Sequence, residues 1–254
     1  MKSFNIVYGK LIEKLYKDDI DSQIYYLKTV AAVRKIPLEY LLKLKVIFVP
    51  NNEYLHYYGG NDILNPNYDI YFDNHCKWTH FILIPIRDLS RNIVGLVGWD
   101  LNHKAREEDG EKGLEMYKTS NKLVMNKSHY FLTDIDVIES NYEKEVIFVV
   151  DGVFDAISLN NLGIPTIALL GSNTSKTLYY FLRWYSYVYV IHDNDKAGLT
   201  LLEKLKKAVP NVYGVHQNKT KDIDDLLKLN PLIVSKQLVD LLNNPVKGDF
   251  YLKT

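Results

Sequence analysis

From residue 145 to residue 243, short apolar segments alternate with amphipathic ones, and this alternation restricts the chain to few folds. Four segments are almost continuously apolar and rich in β-branched or aromatic residues, as in strands buried on both faces. They are residues 146–150, 164–171, 187–191 and 211–217. Helical patterns separate or follow them, at residues 154–162, 176–186, 196–209, 221–229 and 231–243. The pattern predicts a parallel sheet covered by helices on both faces and joined by right-handed crossovers.

Aspartates follow three of the four predicted strands. Asp151 comes directly after the first strand, Asp193 and Asp195 come after the third, and Asp222 and Asp224 come after the fourth. The carboxyl ends of parallel strands meet at one edge of the sheet, where open α/β folds bind their ligands. We therefore expect these carboxylates to lie close together.

Two interpretations of these aspartates are open. Each could be a turn residue or the N-cap of the next helix, because aspartate is common at both positions. That explanation would have to hold separately at three strands of the same edge. Closely spaced carboxylates repel one another unless a cation lies between them, and Mg²⁺ prefers oxygen ligands of this kind. We therefore favour a metal site that also takes a phosphate-bearing substrate.

The overall composition excludes several other classes of protein. The 31 basic and 31 acidic residues give a formal net charge of +0, so contacts with nucleic acid must come from local patches. Cys76 is the single cysteine, which excludes an internal disulfide framework and a four-cysteine zinc site. No apolar run resembles a signal peptide or a membrane span, so we expect a cytoplasmic protein without a membrane partner.

The first half of the chain has a mixed pattern. Residues 1–36 show helical spacing, and Pro37 begins a second short helix. Two apolar runs, at residues 80–87 and 92–100, are separated by a short polar segment and predict a β-hairpin. Pro85 indicates that the first of these strands lies at a sheet edge or carries a bulge.

Residues 116–129 contain lysines without an acidic residue between them. The lysines are Lys118, Lys122 and Lys127. A segment of this kind could contact phosphates, but spacing alone favours a solvated loop.

A second polar group in the first half contains metal-capable side chains. Its members are Asp73, His75, Cys76 and His80. Their spacing matches no zinc pattern, so we do not expect a metal site there.

Several motifs in the second half resemble those of a TOPRIM domain. DGVFDAISLNNLGI (151–164) is similar to its first acidic motif, and HDNDKAG (192–198) is similar to its Asp-x-Asp motif. LLGSNTSK (169–176) resembles the loop after the second strand, and KDIDDLL (221–227) resembles the third acidic motif of primases. This domain is shared by bacterial-type (DnaG-like) primases, type IA and II topoisomerases and OLD-family nucleases.

The resemblance to primases extends into the first half of the chain. Residues 33–50, 83–101 and 117–132 resemble, in that order, the N-terminal subdomain of the primase catalytic core. In all it covers roughly residues 28 to 230. The fold that it implies is α/β, with a parallel-sheet TOPRIM domain preceded by a smaller α+β N-terminal subdomain. The expected domains are 1–140 with a basic template and nucleotide groove, 141–230 as the TOPRIM domain, and 231–254 as a C-terminal helical extension.

The resemblance also implies an activity and a set of site residues. The activity is the synthesis of short RNA primers on single-stranded DNA by metal-dependent nucleotidyl transfer. Asp151 and Asp155 would be catalytic. Two or more Mg²⁺ or Mn²⁺ ions would be bound by Asp151, Asp193, Asp195, Asp222 and Asp224. Nucleotides and DNA would be bound by Arg34, Arg87, Lys118, Lys122, Lys127 and Lys221.

The sequence departs from the primase pattern at two positions. Asp151 stands where the family has glutamate, which shortens the side chain by one methylene. Trp99 stands where primases of this type usually carry arginine, although a tryptophan can stack on a base. No N-terminal zinc-binding domain and no helicase-binding domain is recognised. We therefore expect a virus- or plasmid-encoded protein that uses a replicative helicase and a separate zinc-binding protein as partners, besides the DNA template and NTPs.

Two alternative functions remain open at this point. A TOPRIM nuclease would use the same carboxylates to cleave DNA, although no ATPase module of the OLD type is recognised. A non-catalytic primase-like accessory protein would bind DNA or a helicase, and Asp151 and Trp99 would then mark lost catalysis. A topoisomerase is not favoured, because no tyrosine of a cleavage domain can be identified.

Overall fold

A computed structural model describes residues 4–51, 79–103, 108, 117–119, 131–169, 174–217 and 219–253. The chain divides into two compact units, Met1–Asn126 and Lys127–Thr254. The predicted division into three segments stays a prediction.

Three helices and an antiparallel sheet form the described part of the first unit. The helices are α1 (Phe4–Asp18), α2 (Ile20–Arg34) and α3 (Leu38–Lys43). The strands are β1 (Ile47–Asn51), β2 (Thr79–Arg87), β3 (Ile93–Asp100) and β4 (Tyr117–Thr119). Strand β2 pairs with β1 and with β3, and β3 also pairs with β4, each time in antiparallel direction.

The predicted helical structure of residues 1–36 is confirmed, and it consists of two helices. Asp19 separates them and acts as the N-cap of α2, where its Oδ1 accepts a hydrogen bond from the backbone N–H of Ser22 at 3.0 Å. Helix α2 ends at Arg34, since Lys35 adopts a left-handed conformation with φ of 53°. A capping aspartate inside a helical pattern permits this break without disturbing the apolar spacing.

The predicted hairpin is confirmed. Strands β2 and β3 pair from Phe81 opposite Asp100 to Arg87 opposite Ile93. The register shifts between Ile86 and Arg87, next to Pro85, as expected of a strand that carries a proline.

Buried contacts hold the helices of the first unit against its sheet. Tyr8, Leu11 and Leu15 of α1 join the apolar cluster formed by β1, β2 and β3. Gln23 of α2 is buried and bonds to both backbone groups of Phe48 in β1. Its Nε2 donates to the carbonyl oxygen at 2.7 Å, and its Oε1 accepts from the N–H at 3.0 Å.

The second unit is built on a largely parallel sheet. Its strands are β5 (Phe131–Leu132), β6 (Val146–Val150), β7 (Thr166–Ala168), β8 (Tyr187–Ile191), β9 (Val212–His216) and β10 (Phe250–Tyr251). They lie in the order β10-β9-β8-β6-β7-β5. All neighbouring pairs from β10 to β7 are parallel, and β5 is antiparallel to β7.

Helices connect and cover these strands, which confirms the predicted α/β class. They are α4 (Ile135–Ser140), α5 (Val153–Asn161), α6 (Lys176–Leu182), α7 (Lys196–Ala208), α8 (Ile223–Leu229) and α9 (Pro231–Asn243), with a short 3₁₀ turn at Tyr142–Lys144. Every residue of β6 is buried, as expected of a strand covered on both faces.

The predicted boundaries hold best where the apolar pattern is uninterrupted. Strand β8 and helix α9 have the predicted bounds. Gly163, with φ of 76°, follows the end of α5. Strand β7 is shorter than the predicted 164–171, and α6 ends earlier than residue 186. Helix α8 begins two residues late because Asp222 is its N-cap.

The chain returns to the sheet after α9. Its end forms β10, which pairs parallel with β9 at the sheet edge. No helix in the described ranges is long and apolar enough to cross a membrane.

The glutamine at position 23 provides a test of the first unit. Gln23→Leu keeps the side-chain size but leaves the buried N–H and C=O of Phe48 without partners. Each unsatisfied buried group costs about 1–3 kcal/mol, so the variant should be destabilised by roughly 2–4 kcal/mol. Denaturant unfolding of the full chain measures this, with Lys28→Leu on the exposed side of α2 as the control. Equal destabilisation of both variants would contradict the role of Gln23.

Candidate functional site

Six aspartates occupy the ends of strands and the first turns of helices along one edge of the parallel sheet. Asp151 follows β6, Asp193 follows β8, and Asp155 lies in the first turn of α5. Asp195 and Asp222 are the N-caps of α7 and α8, and Asp224 lies in the first turn of α8.

Asp155 is buried among other acidic side chains. Burial raises its pKa to about 7, and the negative charges of Asp222 and Asp224 act in the same direction. A hydrogen bond opposes this shift in part, since the backbone N–H of Asp224 donates to Oδ1 of Asp155 at 3.1 Å. At neutral pH this carboxyl group is therefore close to the midpoint of its titration.

Asp193 has the same kind of environment but is half-buried. Burial raises its pKa to about 6, followed by the charges of Asp151 and Asp222 and, more weakly, Asp195. The positive charge of Lys221 acts in the opposite direction. These mutual effects show that the structure brings the predicted acidic residues together, with Lys221 beside them.

Helix capping accounts for one oxygen of each cap residue. Oδ1 of Asp195 accepts from the backbone N–H of Gly198 at 2.9 Å, and Oδ1 of Asp222 accepts from that of Asp225 at 2.8 Å. The capping interpretation is therefore confirmed for Asp195 and Asp222, and the metal interpretation stays a prediction.

Asp224 differs from the other acidic residues because both of its oxygens have partners. Ser158 Oγ donates to Oδ1 at 2.7 Å, and Lys228 Nζ lies 2.7 Å from Oδ2. Its side chain is buried. Of the predicted metal ligands it is the least available to a cation, and its contacts suit a residue that supports Asp155.

Two glycines of the recognised motifs are required by close contacts with the aspartates. A side chain at Gly152 would overlap the carboxylate of Asp155. A side chain at Gly198 would overlap the backbone carbonyl oxygen of Asp193. These contacts explain why glycine stands at these positions in DGVFD and HDNDKAG.

The chemistry of the donor set fits hard divalent cations, which prefer carboxylate oxygens. In the part of the chain that the structure describes, no three His, Cys, Asp or Glu side chains already form a group that could hold a metal ion. Carboxylates of like charge separate when no cation lies between them, so the side chains would have to close around a metal. Asp73, His75 and Cys76 lie outside the described residues.

Three of the predicted basic residues of the first unit lie in the described ranges, and their surroundings differ from one another. The guanidinium group of Arg34 lies over the ring of Trp99, 4.8 Å from its centroid. Nη2 of Arg87 donates to the backbone carbonyl of Leu44 at 3.2 Å, which ties β2 to the end of α3. Lys118 lies in β4 opposite Gly98.

Lys122 and Lys127 lie outside the described residues, so their role stays a prediction.

Sequence reasoning missed several supporting residues. Ser158 and Lys228 follow Asp155 and Asp224 at helical spacings of three and four, a pattern that would have indicated their position. His192, His216 and Asp249 also surround the site, and no local pattern indicates their contacts.

Comparison with known proteins identifies the architecture. The Toprim-like family matches residues 148–227. The DNA primase of Rickettsia conorii (strain ATCC VR-613 / Malish 7) is 32% identical over 121 residues, which are 46% of this chain and 19% of the relative. The RNA polymerase domain of Mycobacterium tuberculosis primase DnaG has a TM-score of 0.72 at 16% identity, over 96% of this chain and 84% of that chain. The fold is that of a DnaG-type primase catalytic core.

A further similar structure is a DnaG primase catalytic domain bound to single-stranded DNA. Its TM-score is 0.66 at 20% identity, and the match covers 88% of this chain and 77% of that chain. The primase-type core described here spans about a fifth of the length of the curated relatives that it matches. The resemblance recognised in the sequence is thereby confirmed at the level of the fold, in both units.

The raised pKa of Asp155 predicts how the stability of this primase-type core depends on pH without metal. Folding favours the protonated carboxyl, so its contribution is complete below the ordinary value of 3.8 and is lost as the pH rises through about 7. Asp155→Asn should therefore be more stable than the wild type at pH 8, by on the order of 2–4 kcal/mol, and closer to it at pH 5.

Denaturant unfolding in EDTA at both pH values measures this difference. Asp240→Asn, at an exposed position of α9, is the control and should follow the wild type. Parallel pH profiles for Asp155→Asn and the wild type would contradict the assignment.

Proposed function

We propose that this protein is a DNA primase that synthesises short RNA primers on single-stranded DNA by metal-dependent nucleotidyl transfer. The observation that carries the proposal is the group of aspartates at the carboxyl edge of the Toprim-like sheet, within a fold that matches the primase core along most of the chain. The DNA primases among its relatives and the neighbour bound to single-stranded DNA support the same reading.

The residues that would hold the metal are the aspartates that follow the strands at this edge of the sheet. They are Asp151, Asp193, Asp195 and Asp222. Two or more Mg²⁺ or Mn²⁺ ions, when bound, would neutralise charge on the triphosphate and favour ionisation of the primer 3′-hydroxyl group. Asp224 would act through Asp155, because Ser158 and Lys228 already use its oxygens.

Asp155 and Lys221 would adjust the charge of the site. Asp155 holds a proton when the site carries its full negative charge and can release it when opposite charge arrives, since its pKa is raised to about 7. Lys221 lowers the pKa of Asp193 and would contact the phosphates of the incoming nucleotide. Asp151 would complete the catalytic group, although its side chain is shorter than the glutamate of the family.

Basic residues of the first unit would bind the phosphates of template and nucleotide. They are Arg34, Arg87, Lys118, Lys122 and Lys127. Arg34 is best supported, because stacking on Trp99 orients its guanidinium group while the planar fork can still bind phosphate oxygens. A replicative helicase and a separate zinc-binding protein are the further partners that we propose, in the cytoplasm.

A non-catalytic accessory protein is the second candidate. The shorter side chain of Asp151 favours it. It would bind the same single-stranded DNA without extending a primer.

Asparagine substitutions at the proposed ligands test the activity. Asp193→Asn and Asp195→Asn remove charge but keep shape and, at position 195, the cap. Each should reduce primer synthesis by about a hundredfold or more, because metal ions supply several kcal/mol of charge stabilisation in the transition state. The assay uses single-stranded DNA, labelled NTPs and Mg²⁺ or Mn²⁺, and gel electrophoresis of the products.

The control is Asp225→Asn, since this exposed carboxylate lies on α8 but is not a proposed ligand. Undiminished synthesis by the Asp193 and Asp195 variants would refute the proposal. Shortened DNA in place of new RNA would indicate a nuclease. Neither product, even with the candidate helicase or zinc-binding protein added, would indicate the accessory role.

A charge-removing substitution tests the role of Arg34. Arg34→Ala should weaken binding of single-stranded DNA, and the slope of log affinity against log salt should decrease by about 1 if one phosphate contact is lost. Fluorescence anisotropy at several salt concentrations measures both quantities. Lys28→Ala, on an exposed position of the same helix, is the control. An unchanged salt slope for Arg34→Ala would argue against a phosphate contact.

A further inference from the structure

Three side chains, those of His192, His216 and Asp249, form a series of hydrogen bonds that ends at the backbone of Asp193. Nδ1 of His192 lies 2.8 Å from the carbonyl oxygen of Asp193, and Nε2 of His192 lies 3.0 Å from Nδ1 of His216. Nε2 of His216 in turn lies 3.2 Å from Oδ2 of Asp249. The series thus crosses from the end of β8 to the end of β9 and then to the segment that precedes β10.

The direction of two of these hydrogen bonds follows from the acceptors at the two ends. The carbonyl oxygen of Asp193 can only accept, so Nδ1 of His192 donates to it. The ionised carboxylate of Asp249 can only accept as well, so Nε2 of His216 donates to it. Between the two rings, either Nε2 of His192 or Nδ1 of His216 can be the donor.

Asp249, at one end of this series of hydrogen bonds, is held by several further contacts. Burial acts to raise the pKa of Asp249, but hydrogen bonds from Lys206, from the backbone N–H of Gly214 and from His216 lower it to about 2. Lys206 Nζ and the N–H of Gly214 lie 2.8 Å and 2.7 Å from its oxygens. The ring of Tyr251 stacks on His216 at 4.8 Å.

Gly214 makes room for this arrangement. A Cβ atom there would lie 2.7 Å from Nε2 of His216, which is too close for an ordinary contact. The backbone of β9 therefore comes near enough to bond Asp249 because position 214 has no side chain.

His192, at the other end of the series, helps to fix the Asp193 peptide against the first turn of α7. Nδ1 of the buried His192 bonds to the carbonyl oxygen of this peptide, and Gly198 packs so closely that a side chain there would overlap the same oxygen. The N–H of this peptide, on Asn194, donates to the carbonyl of Lys221 at 2.8 Å. The peptide that follows the Asp193 side chain is thus held at both its C=O and its N–H.

We propose that His192, His216 and Asp249 form a positioning relay that holds the Asp193 peptide, and with it the Asp193 carboxylate, in the arrangement that binds a divalent cation. The proposal rests on the proposed function, because it assigns the relay to the metal site. It makes residues 244–253 a part of that site, although they lie outside the Toprim-like match at 148–227. His192, His216 and Asp249 are positioning residues and do not contact the metal.

Direct binding of Mn²⁺ to the full chain, without DNA or nucleotide, tests this relay. Asp249→Asn removes the negative charge that faces His216. His192→Phe removes the ring nitrogens that bond to the carbonyl oxygen of Asp193 and to His216. Loss of a group that orients a metal ligand costs about 10–100-fold in metal affinity, so each variant should bind Mn²⁺ at least tenfold more weakly. Because both act through one series of hydrogen bonds, the double variant should bind about as weakly as either single one.

Two controls separate positioning from general destabilisation. Asp240→Asn, exposed on α9, should bind Mn²⁺ like the wild type, and thermal unfolding in EDTA identifies any variant that fails to fold. The ¹H–¹⁵N spectrum of the histidine rings provides a second measurement on the wild type. It should show a proton on Nδ1 of His192 and on Nε2 of His216, the two ring nitrogens that face acceptors.

The outcomes distinguish the relay from the proposed function. Wild-type affinity in folded Asp249→Asn and His192→Phe, losses that add in the double variant, or an unprotonated Nδ1 of His192 would each overturn the relay. A wild type that binds Mn²⁺ and loses affinity in both variants supports the relay, even if it synthesises no primer and the proposed function fails. A wild type that binds no Mn²⁺ would overturn the metal site and the relay together.

Discussion

Repulsion among carboxylates at the carboxyl edge of the parallel sheet is the constraint on which the second unit depends. Burial and neighbouring negative charge raise the pKa of Asp155 to about 7 and that of Asp193 to about 6. Holding such groups together costs free energy that the buried strands β6 and β8 must offset. Carboxyl groups with pKa values raised in this way, in a shared cleft, are typical of functional sites.

The surroundings divide these acidic residues into two groups. The buried pair, Asp155 and Asp224, is satisfied within the protein through Ser158, Lys228 and the backbone. Asp195 and Asp222 each give one oxygen to a helix N-terminus. A helix N-cap and a metal ligand are thus compatible uses of a single aspartate, because a carboxylate has two oxygens.

In the first unit, the guanidinium group of Arg34 on α2 lies over the ring of Trp99 on β3. The contact places a positive charge from a helix beside an aromatic side chain of the sheet. Stacking of this kind restricts the orientation of the arginine side chain.

The sequence by itself determined the order of strands and helices from β6 to α9, because each apolar segment matched the period of one element. It also determined which aspartates meet, since residues that follow parallel strands share an edge. Tertiary structure alone decided the partners of those aspartates. Ser158 and Asp224 are 66 positions apart, and His192 and His216 are 24 apart, so no local pattern relates them. Their contacts depend on the strand order β10-β9-β8-β6, which places distant segments side by side and is set by packing of the whole unit.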